Sequence, residues 1–494
     1  MSGPGDGPPA SRRAARPPLV RVLRSLRALM HGGWRAVRDV EPDFWRNLRD
    51  ELMAGRQWAD RAVVLVYAVI TGLVVVGFTL LAEAAVHAFL QLDRLMPHGR
   101  YLALVVTPAV TVAVLWWARR FVPGALGSGI PQVVRALDDT LHDAQRGWLV
   151  SLKLSLHKIG LVSAGLLGGL SIGREGPTVQ VGAGVMLHAR RWLSPQSGID
   201  AHDLMVAGAA AGIAAAFNTP LGGIVFALEQ LSRRRGISHS SLVIACIVLA
   251  GLVAVAVFGN ETYFGRLRVQ QLPWTLLWPG LLVVLVAGLA GGLFARLIVV
   301  SVRGLPDRFS RWRASHPYRF AAGCALAVAV IGLATGGATA GAGYATTQAL
   351  LEGQAELPGV YTLLKFCATW LSAWTGVPAG MFAPSLAIGA GIGHDVALLA
   401  GVGREAAIPL IAMGMVGFLA ATTGGPITAF IIVMEMVSGH AMVLSLMASA
   451  LLSSGVARLV TRPMYQELAD MLPLPAAPPE RPGPSTAGSP LPRS

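Results

Sequence analysis

Apolar residues in this chain fall in long stretches free of charge. They run over Ala62–Ala82, Tyr101–Ala118, Leu204–Leu228, Gly236–Asn260, Val269–Ala295, Phe320–Leu351, Phe366–His394, Ala406–Met434 and Met436–Ala457. Several exceed the roughly 20 residues that an α-helix needs to cross the hydrocarbon core of a bilayer. The pattern predicts an all-α, polytopic membrane protein. The ends read differently. Residues 1–60 are polar and basic, and predict a cytoplasmic leader with a basic amphipathic helix around Phe44–Trp58. That helix either lies on the inner membrane surface or is simply polar and cytoplasmic. Residues 473–494 are Pro-rich and predict a disordered tail.

Composition supports this reading. Of 494 residues, 54% are hydrophobic and 13% charged, and mean hydropathy is +0.58. Soluble domains carry about 25% charged residues and could not cover a surface with so few. The formal net charge of +14 would suit nucleic acid, but its placement does not. Twelve arginines lie in residues 1–61, with further clusters at Arg233–Arg235, between Arg303 and Arg319, and at Arg458 and Arg462. These are short flanks of apolar segments, so the positive-inside rule puts both termini in the cytoplasm of a multi-pass plasma or inner membrane protein. The opening sixty residues do not have the charged head and apolar core of a cleavable signal peptide. Three scattered cysteines and eleven histidines without paired ligand spacing predict no disulfide framework, metal or cofactor. A membrane-embedded enzyme or scaffold remains a remote alternative.

The chain repeats itself. Gly208–Gln230 parallels Gly414–Met436, with Gly208 and Gly414, Pro220 and Pro426, and Glu229 and Glu435 each 206 positions apart. Upstream, Gly173–Gly184 parallels Gly380–Gly391, with Pro177 and Pro384 separated by 207. The halves are expected at 61–265 and 266–472. The first opens at the basic leader. The second reaches its basic loop, Arg303–Arg319, only after one span, so it starts on the other side. Two halves of opposite sense form an inverted repeat, a frame that places a site at mid-membrane where discontinuous helices meet.

Three segments share one build of small residues, proline and an apolar run: Gly127–Val133 (GSGIPQV), Gly173–Val179 (GREGPTV) and Gly380–Pro384 (GMFAP). Proline suits a first helical turn, and glycine permits the bend before it. Any one segment could be a kinked helix. Together they predict helices that begin inside the protein, where free amides and the positive end of the dipole can solvate an anion. Glu175 stands at one of these starts. An ionisable residue there is either an N-terminal cap or a gate, since a carboxylate is an anion that can occupy an anion's place and lose its hold when protonated. Ser128 and Tyr465 offer hydroxyls. Lys158 and Arg174 are candidate countercharges.

The segments GSGIP, GREGPTVQ and GMFAP, with a tyrosine in the last membrane segment, resemble the four signatures of the CLC family of chloride channels and chloride–proton antiporters. The resemblance covers about residues 60–472 and implies the CLC fold, chloride as substrate, no enzymatic activity and a homodimer in which each subunit holds a pathway. By motif, Ser128 and Tyr465 resemble the central anion ligands. Gly129, Ile130, Met381 and Phe382 resemble the backbone donors, and Glu175 resembles the gating glutamate. The resemblance also implies that the stretch ending in Glu229–Gln230 lines the dimer interface and leads toward an internal proton route. There the sequence departs from the family. Proton-coupled members usually carry a pair of glutamates, and Gln230 stands where the second would be. Glutamine does not titrate. Glu229 is a candidate substitute on the proton route, with Glu175 at its other end, but one position away it points about 100° elsewhere on a helix. Nor does the sequence contain the paired nucleotide-sensing domains of larger relatives. The expectation is therefore passive or weakly proton-coupled chloride movement, with chloride–proton antiport as the alternative.

Overall fold

The computed structural model describes residues 55–91, 99–232, 235–259, 263–265, 274–354 and 359–476. The leader, most of the Phe44–Trp58 helix, Arg233–Arg234 and the tail beyond 476 lie outside the described residues. The first half runs α1 (Gly55–Leu90), α2 (Gly99–Phe121), α3 (Ile130–Ala136), α4 (Asp143–Leu149), α5 (Leu152–Leu167), α6 (Glu175–His188), α7 (Ala201–Phe217), α8 (Pro220–Phe226) and α9 (Ser240–Phe258). The second runs α10 (Leu277–Arg303), α11 (Arg308–Ser315), α12 (Pro317–Ala334), α13 (Tyr344–Leu351), α14 (Tyr361–Trp374), α15 (Phe382–Leu399), α16 (Arg404–Thr423), α17 (Pro426–Met436), α18 (Val443–Arg458) and α19 (Met464–Asp470). Among the described residues, nine helices are long and apolar enough to cross a membrane. The chain is all-α, apart from one isolated backbone bridge between Gly173 and Gly380.

The helices divide into an outer and an inner set. In α2, α9 and α12 only a third of the apolar window is buried by protein, whereas in α15 and α16 the buried share is 78% and 83%. The outer helices expose Leu and Val side chains such as Val105, Leu252 and Val330, as a lipid-facing surface requires. The inner helices approach closely because glycines remove side chains at their crossings. A Cβ on Gly208 of α7 would lie 2.2 Å from the Gly182 carbonyl oxygen of α6. The crossing of α15 and α16 matches it, for a Cβ on Gly389 would lie 2.3 Å from the Gly414 carbonyl oxygen. Small residues are the usual means of close helix packing in membranes.

The equivalent helices α8 and α17 cap one another. Glu229, just beyond α8, accepts from the Ile427 and Thr428 amides at 3.1 and 2.7 Å. Glu435 of α17 accepts from the Leu221 and Gly222 amides at 3.2 and 2.7 Å. Each carboxylate thus satisfies free first-turn amides at the positive end of the other's helix. Glu229, named above for the proton route, is placed by the structure at the start of α17. After α8 the chain widens into a π turn over Ala227–Leu231, so α8 does not continue as a regular α-helix through Gln230.

Candidate anion site and its gate

The three Gly/Pro segments converge. The Gly173 amide donates to the Gly380 carbonyl at 2.7 Å, and the Gly380 amide donates back to Gly173 at 3.0 Å. The Ala379 amide donates to the Gly127 carbonyl at 3.2 Å, tying the third segment to them. Side chains would prevent this meeting. A Cβ on Gly176 would sit 2.5 Å from Ser128 Oγ, and one on Gly129 would sit 2.6 Å from the Gly176 carbonyl oxygen. Gly129 also has φ +110°, a conformation that costs glycine little.

From this junction α3, α6 and α15 start at Ile130, Glu175 and Phe382. Met381 precedes α15 as its N-cap, with no side-chain cap. The amides of Ile130 and Phe382, each first in its helix, therefore have no intrahelical acceptor. The Gly129 N–H, expected as an anion donor, donates to Gln132 Oε1 at 2.9 Å. Gln132, in the first turn of α3, reaches back to this amide, and glycine has no side chain to return the bond. Ser128 is 3% exposed and Tyr465, in the first turn of α19, is 2% exposed. Their hydroxyls neighbour one another, and neither has a hydrogen-bond partner among the described residues. Two buried, unsatisfied hydroxyls cost free energy unless something else fills them.

Glu175 is fully buried at the head of α6. Its Oε1 accepts a hydrogen bond from the Tyr344 hydroxyl and lies 3.7 Å from Arg174 Nε. Its Oε2 has no hydrogen-bond partner among the described residues, and the carboxylate lies near the backbone of Ala383 in the first turn of α15. The carboxylate thus occupies the kind of place an anion would, beside helix N-termini. Arg174 is only 3% exposed, and its Nη2 donates to Glu83 at 3.0 Å and to the Tyr263 hydroxyl at 2.8 Å. Arg174 is a countercharge to both carboxylates.

Lys158, the other candidate countercharge, is fully buried beside the Ser128 loop. Its ammonium donates to the carbonyls of Ala125 and Gly127 at 2.7 and 2.8 Å, fixing the loop that delivers Ser128. Sequence reasoning missed its counterpart. Lys365, 207 positions on, donates to Thr339 and Gly341 at 2.9 and 2.8 Å and fixes the loop that delivers Tyr344. Gln230 is 7% exposed, and its side-chain nitrogen is unpartnered against Gly425.

Two cavities approach the junction and share no lining residue. One, of about 390 Å³, is lined by Ser128, Arg119, Arg313 and Thr375 among others, without a carboxylate. The other, of about 550 Å³, is lined by Arg174, Glu83, His87 and Tyr344 among others. Ser128 lines the first, and Gly173 and Arg174, which precede Glu175, line the second.

Residues 109–458 match the family described as the voltage gated chloride channel. The chain belongs to the CLC family. Among its relatives is the H(+)/Cl(-) exchange transporter ClcA of Vibrio parahaemolyticus, 30% identical over 387 residues, covering 74% of this chain and 79% of the relative. ClcA of Salmonella typhimurium is 27% identical over 408 residues, 78% of this chain and 80% of the relative. The fold resembles that of a slow cyanobacterial Cl-/H+ antiporter, with a TM-score of 0.69 at 23% identity over 83% of this chain and 97% of that one. It also resembles a eukaryotic CLC transporter, with a TM-score of 0.69 at 21% identity over 84% and 74% of the two chains. This CLC chain therefore has the discontinuous-helix fold expected from its motifs, and belongs to a family of transporters rather than enzymes.

Proposed function

We propose that this protein exchanges chloride for protons, with Glu175 as the group that both ions use. In this reading chloride is held by Ser128, Tyr465 and the amides of Ile130 and Phe382. The ionised Glu175 carboxylate competes for neighbouring space at the head of α15. Protonation removes its charge and its attraction to the helix starts, so it yields to the anion and carries the proton with it. The observation that carries the reading is the position of Glu175, fully buried at the head of α6 beside Arg174, with one oxygen unpartnered among the described residues. The relatives' names, which describe H+/Cl- exchange, support coupling over passive flow.

Passive or weakly coupled chloride movement is the second reading, favoured by Gln230. With Glu229 occupied as a cap, neither residue of that pair is free to pass a proton. One assay separates the two. In liposomes with a chloride gradient and no proton gradient, the exchanger drives protons uphill, and Glu175→Ala keeps chloride flux while abolishing proton movement. Robust chloride flux without proton movement in the unmodified protein sinks the exchange reading. The proposal extends to repeats spanning 61–265 and 266–472, a homodimer in the plasma or inner membrane, and cytoplasmic termini. The Arg119–Arg313 cavity would then open to the cytoplasm.

A further inference from the structure

The loop Gly341–Tyr344 is the second-half counterpart of Gly127–Ile130. GAG-Tyr matches GSG-Ile at a constant offset of 214, and both loops lead directly into a helix, α13 or α3. Gly343 takes φ +86° where Gly129 takes +110°. Lys365 binds Thr339 and Gly341, the residues matching the Ala125 and Gly127 that Lys158 binds. One loop brings Ser128 to the anion site. The other brings Tyr344 to Glu175.

We infer that Tyr344 is the latch of the gate: its hydroxyl holds the ionised Glu175 carboxylate in the closed position and so sets the pH at which the pathway opens. This rests on Glu175 being the gate. The phenol donates to Oε1, a bond that favours the ionised carboxylate. Its ring is held in place. The Arg174 guanidinium lies 5.2 Å from the ring centroid, the Tyr263 ring 4.9 Å away, and Lys365 fixes the loop beneath. The other polar or charged groups near Glu175 are Arg174 beside it, Tyr263, Tyr465 from α19, and Glu83 of α1 through Arg174. Of the hydroxyls, only that of Tyr344 forms a hydrogen bond to the carboxylate among the described residues. Removing it weakens the closed, ionised form relative to the protonated one. Less acid is then needed to open the gate.

The test is chloride flux from liposomes as a function of pH. Tyr344→Phe keeps the ring and its packing, and should move the half-activation point about one unit to higher pH, the order expected for losing one hydrogen bond to an ionised group. Glu175→Gln should flatten the profile, and Tyr344→Phe added to it should change nothing further. A Tyr344→Phe profile that coincides with the unmodified one, with Glu175→Gln flat, overturns the latch and leaves the gate standing. A Glu175→Gln profile like the unmodified one overturns the gate, and the latch with it. Should Tyr344→Phe fail to assemble, Lys365→Met frees the loop without touching Glu175. It should shift the profile in the same direction, and no shift would refute the latch.

Discussion

At the scale of single residues, the sequence marks which groups matter better than it shows what they touch. Glu175, Ser128 and Tyr465 stand out because an ionisable or hydroxyl group at a Gly/Pro-started helix is unusual in a membrane, and the structure brings all three to the one junction. Lys158 and Glu229 are equally conspicuous, yet both serve backbone groups: Lys158 binds two carbonyls and Glu229 two amides. Their partners lie in other segments, with Glu229 and Thr428 separated by 199 positions, so no local pattern identifies them. Hydrogen bonds to a charged acceptor contribute about 1.5–3 kcal/mol when well sheltered, and less where water reaches the group. Glu229 is half-buried, so Glu229→Ala should cost about 1 kcal/mol, and Glu435→Ala a similar amount. Thermal unfolding in detergent checks this. Both variants unchanged would remove the mutual cap as a source of stability.

At the scale of elements, apolar runs and Pro-started breaks locate most of the helices because they report directly on burial and on free amides. Tyr344 escapes such reading. Its loop matches the Ser128 loop at an offset of 214, whereas the lysines match at 207, and seven residues of slippage hide the correspondence. Contact makes it plain, because Lys365 lies 24 positions beyond Gly341 and Lys158 lies 31 beyond Gly127, yet each binds its equivalent carbonyl. The glycines at the helix crossings are similar: the sequence shows that there are 58, and the structure shows which ones carry contact. Gly208→Ala would place a methyl 2.2 Å from a backbone oxygen, whereas Gly77→Ala in α1 meets nothing within 4 Å. The first should destabilise by about 3 kcal/mol, the upper part of the range for overpacking, and the second should be nearly neutral. Equal melting temperatures for the two variants would contradict the close α6–α7 crossing.

At the scale of the whole molecule, two cavities of different character reach the Gly/Pro junction, one at Gly127 and Ser128 and the other at Gly173 and Arg174. The one that reaches Ser128 is lined by Arg119 and Arg313 and by no carboxylate, a charge balance that favours anions. The other ends on Arg174, whose charge is shared between Glu83 and Glu175. In the proposed mechanism the anion rests at the junction, on helix N-termini and two hydroxyls, with no cation in direct contact. Crystals grown in bromide test it most directly through anomalous scattering. The account predicts a bromide peak within hydrogen-bonding distance of Ser128 Oγ and Tyr465 Oη, and a second peak in Glu175→Gln where the carboxylate had been. Bromide found only at the arginines of the two cavities, with none at the hydroxyls in either protein, would contradict it.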